Sequence, residues 1–166
     1  MNEYEKVKEF HDKFAPSSTN TPKAFGPEHA VFRSMFKIEE IIEFLHAAAN
    51  GDNELFLQMT DKIKNSIDDC VHKINQKNKE DSPLVGEVDA LIDLLYFTYG
   101  SFVLMGVNPV SIFDIVHQAN MGKLFPDGKP HYDPETNKVL KPDNWEKNYA
   151  PEEKILNELE LQKKAK

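Results

Sequence analysis

The chain has 166 residues, 40% hydrophobic and 29% charged, a composition that fits one folded domain with a real core. Its formal charge of −8 and sequence pI near 5.2 argue against nucleic-acid binding, while a small phosphorylated substrate bridged by a cation remains compatible. The single Cys70 allows no internal disulfide and points to a reducing, cytoplasmic setting, and the opening MNEYEKVKEFHDKF is too charged for a secretory signal.

Residues 1–26 read as an N-terminal helix and loop. Val7, Phe10 and Phe14 recur at helical spacing, and APSSTNTPKAFGP is a loop by its Pro, Ser and Thr content. A helical core over 27–121 follows. Pro27 opens a helix to about Asn50 with Gly51 as its stop, and Asp52 caps the next, about 53–78, with Leu55, Met59, Ile63, Ile67, Val71 and Ile74 on one face. NKEDSP is a charged connection, and Ser82-Pro83 starts a third long helix to about Met105. GVNPV interrupts the uncharged run Leu94–Phe113, which argues against a membrane span, and begins a helix with Asn108 as cap and Pro109 at its first position. That helix ends near Met121. Residues 122–150 are rich in turn formers and predict an irregular arm with a small hairpin about DPETNK; Pro151 then opens a polar terminal helix over 151–166. The expectation is an all-α bundle of four to five main helices with an irregular C-terminal arm.

Two helices carry acids where apolar residues prevail. On a helical wheel, Val31, Met35, Ile38, Ile42, Leu45 and Ala49 centre the apolar face of the helix from Pro27. Glu39 falls beside that centre, with Glu43 next to it and Glu40 neighbouring Glu43. In LVGEVDALIDLLYFTYGSFVLM, residues 91–105 are apolar nearly all round, the pattern of a buried helix, and the charges are Glu87, Asp89 and Asp93. Asp89 and Asp93 share a face, a like-charge spacing that destabilises an isolated helix. These acids either line a polar surface stripe, pair with cations from elsewhere, complement helix dipoles, or share a divalent metal. Glu39–Glu43 and Asp93 lie mid-helix, against the dipole reading. Arg33 and Lys37 are the cations nearby, too few for ion pairing throughout. An oxygen-only donor set favours Mg²⁺ or Mn²⁺ over zinc.

The chain resembles the all-α NTP pyrophosphohydrolase superfamily, the MazG-like group, whose pattern is ExxE on one helix and ExxD on a later one. Glu40-Ile-Ile-Glu43 matches the first, with Glu39 giving a double-Glu start, and DALIDLLYFTYG (89–100) resembles the second, with Asp93 as its final Asp. HQANMGKLFPDGKP and VLKPDNW resemble the nucleotide-side segment, so the likeness covers about 27–145. The sequence departs from the pattern at Ala90 and Gly86, where a Glu is expected three residues before Asp93 or Asp89. The fourth ligand is then Asp89 or Glu87. The acidic pairs also stand further apart than is usual in the family.

The resemblance implies hydrolysis of a nucleoside triphosphate between its α- and β-phosphates to a monophosphate and pyrophosphate, in the manner of nucleotide-pool house-cleaning. Glu40, Glu43, Asp89 and Asp93 are the expected metal ligands, with Glu39 as general base or additional ligand. Arg33, Asn120, Lys123, Lys129 and Lys141 are the candidates for the outer phosphates. Lys123 serves equally as a helix C-terminal charge, and Arg33 as an ion-pair partner. Trp145, Tyr132, Phe10, Phe14 and Phe25 could stack on a base or simply pack. A homodimer, or a dimer of dimers, is expected from the family and from the apolar circumference of the helix over 84–105. Two other readings compete. Acid-x-x-His spacings at Glu43/His46, Asp69/His72 and Asp114/His117 suggest a ferritin-like di-iron bundle, and the acids could be remnants in a non-catalytic interaction module.

Overall fold

The computed structural model describes residues 1–15, 19, 21–77, 81–136 and 138–165. Parts of the predicted loop (16–18 and 20), of the charged connection (78–80) and of the hairpin (137) lie outside them, as does 166. The protein is all-α. Its helices among the described residues are α1 (Glu3–Phe14), α2 (Pro27–Ala49), α3 (Asn53–Ile74), α4 (Pro83–Met105), α5 (Val110–Met121), α6 (Trp145–Tyr149) and α7 (Glu152–Lys164). They fall into two compact units, Pro22–Ala90 and a second built from Met1–Thr21 with Leu91–Lys166.

In the first unit α2 and α3 pack together as a hairpin. Pro27 takes the first helical position of α2, as expected. Its end is set by Asn50 and Gly51, both left-handed (φ 50° and 87°), which reverse the chain within a few residues. Asp52 then accepts the Leu55 N–H at 3.0 Å, the predicted cap of α3. α3 stops at Ile74 rather than near 78, because the apolar spacing ends there and Asn75 and Gln76 are poor or neutral helix formers. The first turns of α4 complete the unit, and the Phe25 N–H donates to Glu87 Oε2 at 2.9 Å.

The second unit is organised around α5, against which α1, α6 and α7 each pack. Asn2 and Glu5 form a reciprocal capping box that starts α1. Lys6, 9% exposed, pairs with Asp114 of α5, and His117 Nε2 sits 3.4 Å from Glu9 Oε2. On the other side Ser111 Oγ donates to Glu158 Oε1 at 2.7 Å. Gln162 exchanges two hydrogen bonds, each 2.9 Å, with the Asn108 backbone. The N-cap of α5 is Pro109, one residue later than the sequence predicts, and Asn108 accepts the Val110 N–H at 3.1 Å from the position before it.

The arm is more structured than its composition suggests. Asp133 N–H to Lys138 O (2.9 Å) and Leu140 N–H to His131 O (2.8 Å) close the small hairpin, with an isolated antiparallel bridge between Tyr132 and Val139. Tyr132 Oη donates to the Phe14 carbonyl at the end of α1. The arm returns as α6, five residues that the sequence pattern did not predict, and the Tyr149 ring lies where a Cβ on Gly122 would have to go. A residue larger than glycine at 122 would push α6 off α5.

Two carboxylates hold this unit together in a pH-dependent way. The Lys13 ammonium, then His117, keeps the Glu9 carboxyl below its ordinary value of 4.5; the Ser111 hydroxyl, then the Gln162 amide, does the same for Glu158. Because both values are lowered on folding, their contribution is complete above the ordinary value and disappears as pH falls through the folded one. Melting temperatures measured from pH 7 to pH 3 should therefore fall below about pH 4.5. Glu158→Gln should flatten that dependence, and a curve unchanged by the substitution would contradict the assignment.

α4 departs from expectation. Its apolar circumference predicts burial, yet none of its residues is buried in the single chain: Tyr96 is 75% exposed, Val103 76% and Leu104 91%. By length and hydropathy alone it could also cross a membrane.

Candidate functional site

The acids of α2 lie on its exposed surface. Glu39, Glu40 and Glu43 are all exposed, with Glu40 and Glu43 one turn apart. The two cations of this helix are engaged on the helix itself. Lys37 Nζ donates to the Arg33 carbonyl at 3.0 Å, and the Arg33 guanidinium lies 5.6 Å over the Phe36 ring. Burial, helped by the Arg33 charge, holds the Lys37 ammonium below its ordinary range. Glu43 has no hydrogen-bond or ion-pair partner among the described residues.

On α4, Glu87 is half-buried and accepts the Phe25 N–H at Oε2. Asp89 and Asp93 are exposed and make no hydrogen bond or ion pair among the described residues. Both lie on one uninterrupted helix, a turn apart, so whatever meets one meets the other. The donors offered by the two helices are carboxylate oxygens alone, a set that fits a hard divalent cation such as Mg²⁺ or Mn²⁺. No three His, Cys, Asp or Glu side chains gather in a metal-holding group among the described residues.

The remaining candidates belong to the unit around α5. Lys123 Nζ donates to Asn120 Oδ1 at 2.8 Å, an arrangement at the end of α5. Asn120 also lines a cavity of about 170 Å³ with Phe10, Phe113 and His117, so the structure brings together two residues singled out separately in the sequence, Phe10 and Asn120. Trp145 is 5% exposed, donates its indole N–H to the Ala119 carbonyl at 2.8 Å, and has Lys141 Nζ 3.8 Å from its ring centroid. Its geometry is that of an anchor for α6, with Lys141 held against it and against Glu146 at 3.3 Å. Lys129 is exposed on a turn. Phe14 is buried and stacks on Phe10 (4.3 Å), and Phe25 stacks on His29 (4.5 Å). Among the acid-x-x-His pairs, His46 meets Phe56 edge-on, while Asp114 and His117 dock α1.

An all-α chain with exposed acidic pairs on two helices fits the class of helical NTP pyrophosphohydrolases, and comparison with known proteins bears this out. The model of the family described as phosphoribosyl-ATP pyrophosphohydrolase matches residues 7–120, and the chain belongs to that family. A solved structure of a proposed NTP pyrophosphohydrolase from Exiguobacterium sp. 255-15 is 37% identical, with a TM-score of 0.89 over 99% of this chain and 98% of that one. No curated protein matches. The family match contains every acid of α2 and α4 and ends at Asn120, so Lys123, Lys129, Lys141 and Trp145 fall beyond it.

Two contacts of consequence escaped the sequence reading. The hydrogen bond of Glu87 depends on a loop returning to α4, which no local pattern reveals. Gly122 carried a signal, a glycine just past a helix end, but its close approach to Tyr149 needs the arm in place.

Proposed function

We propose that the protein is a divalent-metal-dependent nucleoside triphosphate pyrophosphohydrolase that releases pyrophosphate and a nucleoside monophosphate, acting in clearance of unwanted nucleotides. The observation that carries this reading is the family match spanning α2 and α4, on which Glu43, Asp89 and Asp93 stand exposed without protein partners among the described residues. Isolated, exposed carboxylates at like-charge spacing do little for a fold. They suit cation binding.

Glu40, Glu43, Asp89 and Asp93 would hold Mg²⁺ or Mn²⁺. When bound, such a cation neutralises phosphate oxygens and lowers the pKa of a water molecule. Glu39 takes the proton of the attacking water, and Arg33, two turns before Glu40, contributes positive charge toward the phosphates. The acids themselves repel a triphosphate that arrives without its cation, which makes turnover strictly metal-dependent.

A panel of nucleoside triphosphates with product identification tests the reading. The expected result is pyrophosphate and monophosphate in equal amounts with Mg²⁺ or Mn²⁺, abolished by chelation. Absence of turnover across the panel, together with no rise in melting temperature from metal plus nucleotide, would favour a non-catalytic helical module.

A further inference from the structure

We infer that the cavity between α1 and α5 is a base-binding site that admits a single-ring, pyrimidine base in preference to a purine. The inference rests on the pyrophosphohydrolase reading given above and names the class of nucleotide. All the walls belong to the unit around α5: Val7 and Phe10 from α1, and Phe113, Val116, His117 and Asn120 from α5. The volume is about 170 Å³. An apolar cavity of about 150 Å³ takes one benzene ring, so this one takes a six-membered ring and leaves little space for a fused second ring.

The lining suits a flat, partly polar guest. Phe10 and Phe113 supply aromatic surface on which a base can stack. Phe10 is itself braced, stacked on the buried Phe14 at 4.3 Å with the rings 13° from parallel. Asn120 supplies the polar contact. Its Oδ1 accepts from Lys123 Nζ at 2.8 Å, and an ammonium only donates, so the orientation of the amide is set. The amide NH₂ makes no hydrogen bond among the described residues and is left to donate to a ring carbonyl. Pyrimidine bases all carry such a carbonyl, whereas adenine carries none. The ion pair of Lys6 with Asp114, and the approach of His117 Nε2 to Glu9 Oε2 at 3.4 Å, tie the two walls together before any ligand arrives. A preformed, mostly apolar cavity with few polar groups is the usual form of a small-molecule site. A neighbouring cavity of about 190 Å³ shares Phe113 and Val116 and extends to Leu95 and Thr98 of α4, in the same unit and shortly after Asp93 along the helix. The base site is thus contiguous with space beside the helix that carries Asp93.

Binding of UMP, CMP, AMP and GMP, followed by heteronuclear NMR, tests the cavity without requiring turnover. UMP or CMP should bind at least tenfold more tightly than AMP or GMP and shift the signals of Phe10, Phe113, His117 and Asn120. Val7→Phe places a larger side chain in the cavity. It should weaken pyrimidine binding tenfold or more and raise KM for the matching triphosphate by the same factor, with kcat little changed. Asn120→Asp keeps the Lys123 contact and replaces the donor NH₂ by an oxygen, and should have the same effect without filling the space. Equal or tighter binding of AMP or GMP, or pyrimidine binding unchanged in both variants, would overturn the inference. Pyrophosphate release from triphosphates in that same preparation would leave the pyrophosphohydrolase reading standing. Pyrimidine-selective binding at these four residues without turnover of any triphosphate would support the base site and remove the hydrolase reading instead.

Discussion

Glu43→Gln and Asp93→Asn are each expected to lower turnover by at least about a hundredfold while leaving helical content and melting temperature close to wild type. The magnitude follows from the role. Changes to groups merely supporting a metal ligand already cost 10–100-fold, and loss of a ligand exceeds that. The structural side of the prediction follows from exposure. Neither carboxylate is buried, hydrogen-bonded or ion-paired among the described residues, so its neutral amide leaves no orphaned partner. Asp89→Asn should behave similarly. Glu87→Gln should retain activity, because an amide oxygen can still accept the Phe25 N–H. Circular dichroism and steady-state pyrophosphate release, measured on the same preparations, separate the two effects.

Trp145→Ala is expected to destabilise the unit around α5 by about 3–5 kcal/mol, the range for removing a buried large aromatic side chain. The residue is 5% exposed, and its loss also leaves the Ala119 carbonyl without the indole N–H. Trp145→Phe keeps most of the ring volume and loses the hydrogen bond, so its cost should be smaller, about 1–2 kcal/mol. Denaturant unfolding followed by circular dichroism is the appropriate measurement, since the substitution removes the protein's single tryptophan. A Trp145→Ala protein of undiminished stability but raised KM for nucleotide would instead assign this ring to stacking on a base.

Much of the fold was legible because its boundaries rest on local chemistry. Pro27, Asn50-Gly51, Asp52 and Ser82-Pro83 mark helix ends by rules that operate within a turn of the chain, and the structure uses them as written, whereas Asn108-Pro109 marks the start of α5 one residue early. α6 was not legible, since five residues are too few for a periodic pattern and its position depends on Trp145 and Tyr149 finding α5 from across the arm. The end of α3 was placed late, because a polar run carries no sharp stop. α4 teaches a separate lesson. An apolar circumference states that a helix must be covered, but carries no information on whether the cover comes from the same chain.

The site divides along the same line. The acids of α2 and α4 stood out because carboxylates in an apolar helix conflict with local rules, and the structure leaves Glu43, Asp89 and Asp93 exposed without protein partners among the described residues. The tasks of Lys123, Lys141 and Trp145 could not be read this way. A lysine or tryptophan in a turn-rich arm is compatible with substrate binding and with anchoring alike. Only the contacts to Asn120, Glu146 and Ala119 reveal the anchoring geometry.

One titration goes to the heart of the proposal that divalent ions join the carboxylates of α2 and α4. Mn²⁺ binding is followed by electron paramagnetic resonance on nucleotide-free wild type and on one variant per helix. Saturable binding that both Glu43→Gln and Asp93→Asn weaken by tenfold or more is the predicted result. Binding that survives unchanged when either helix loses its carboxylate would show that the two helices hold no ion in common.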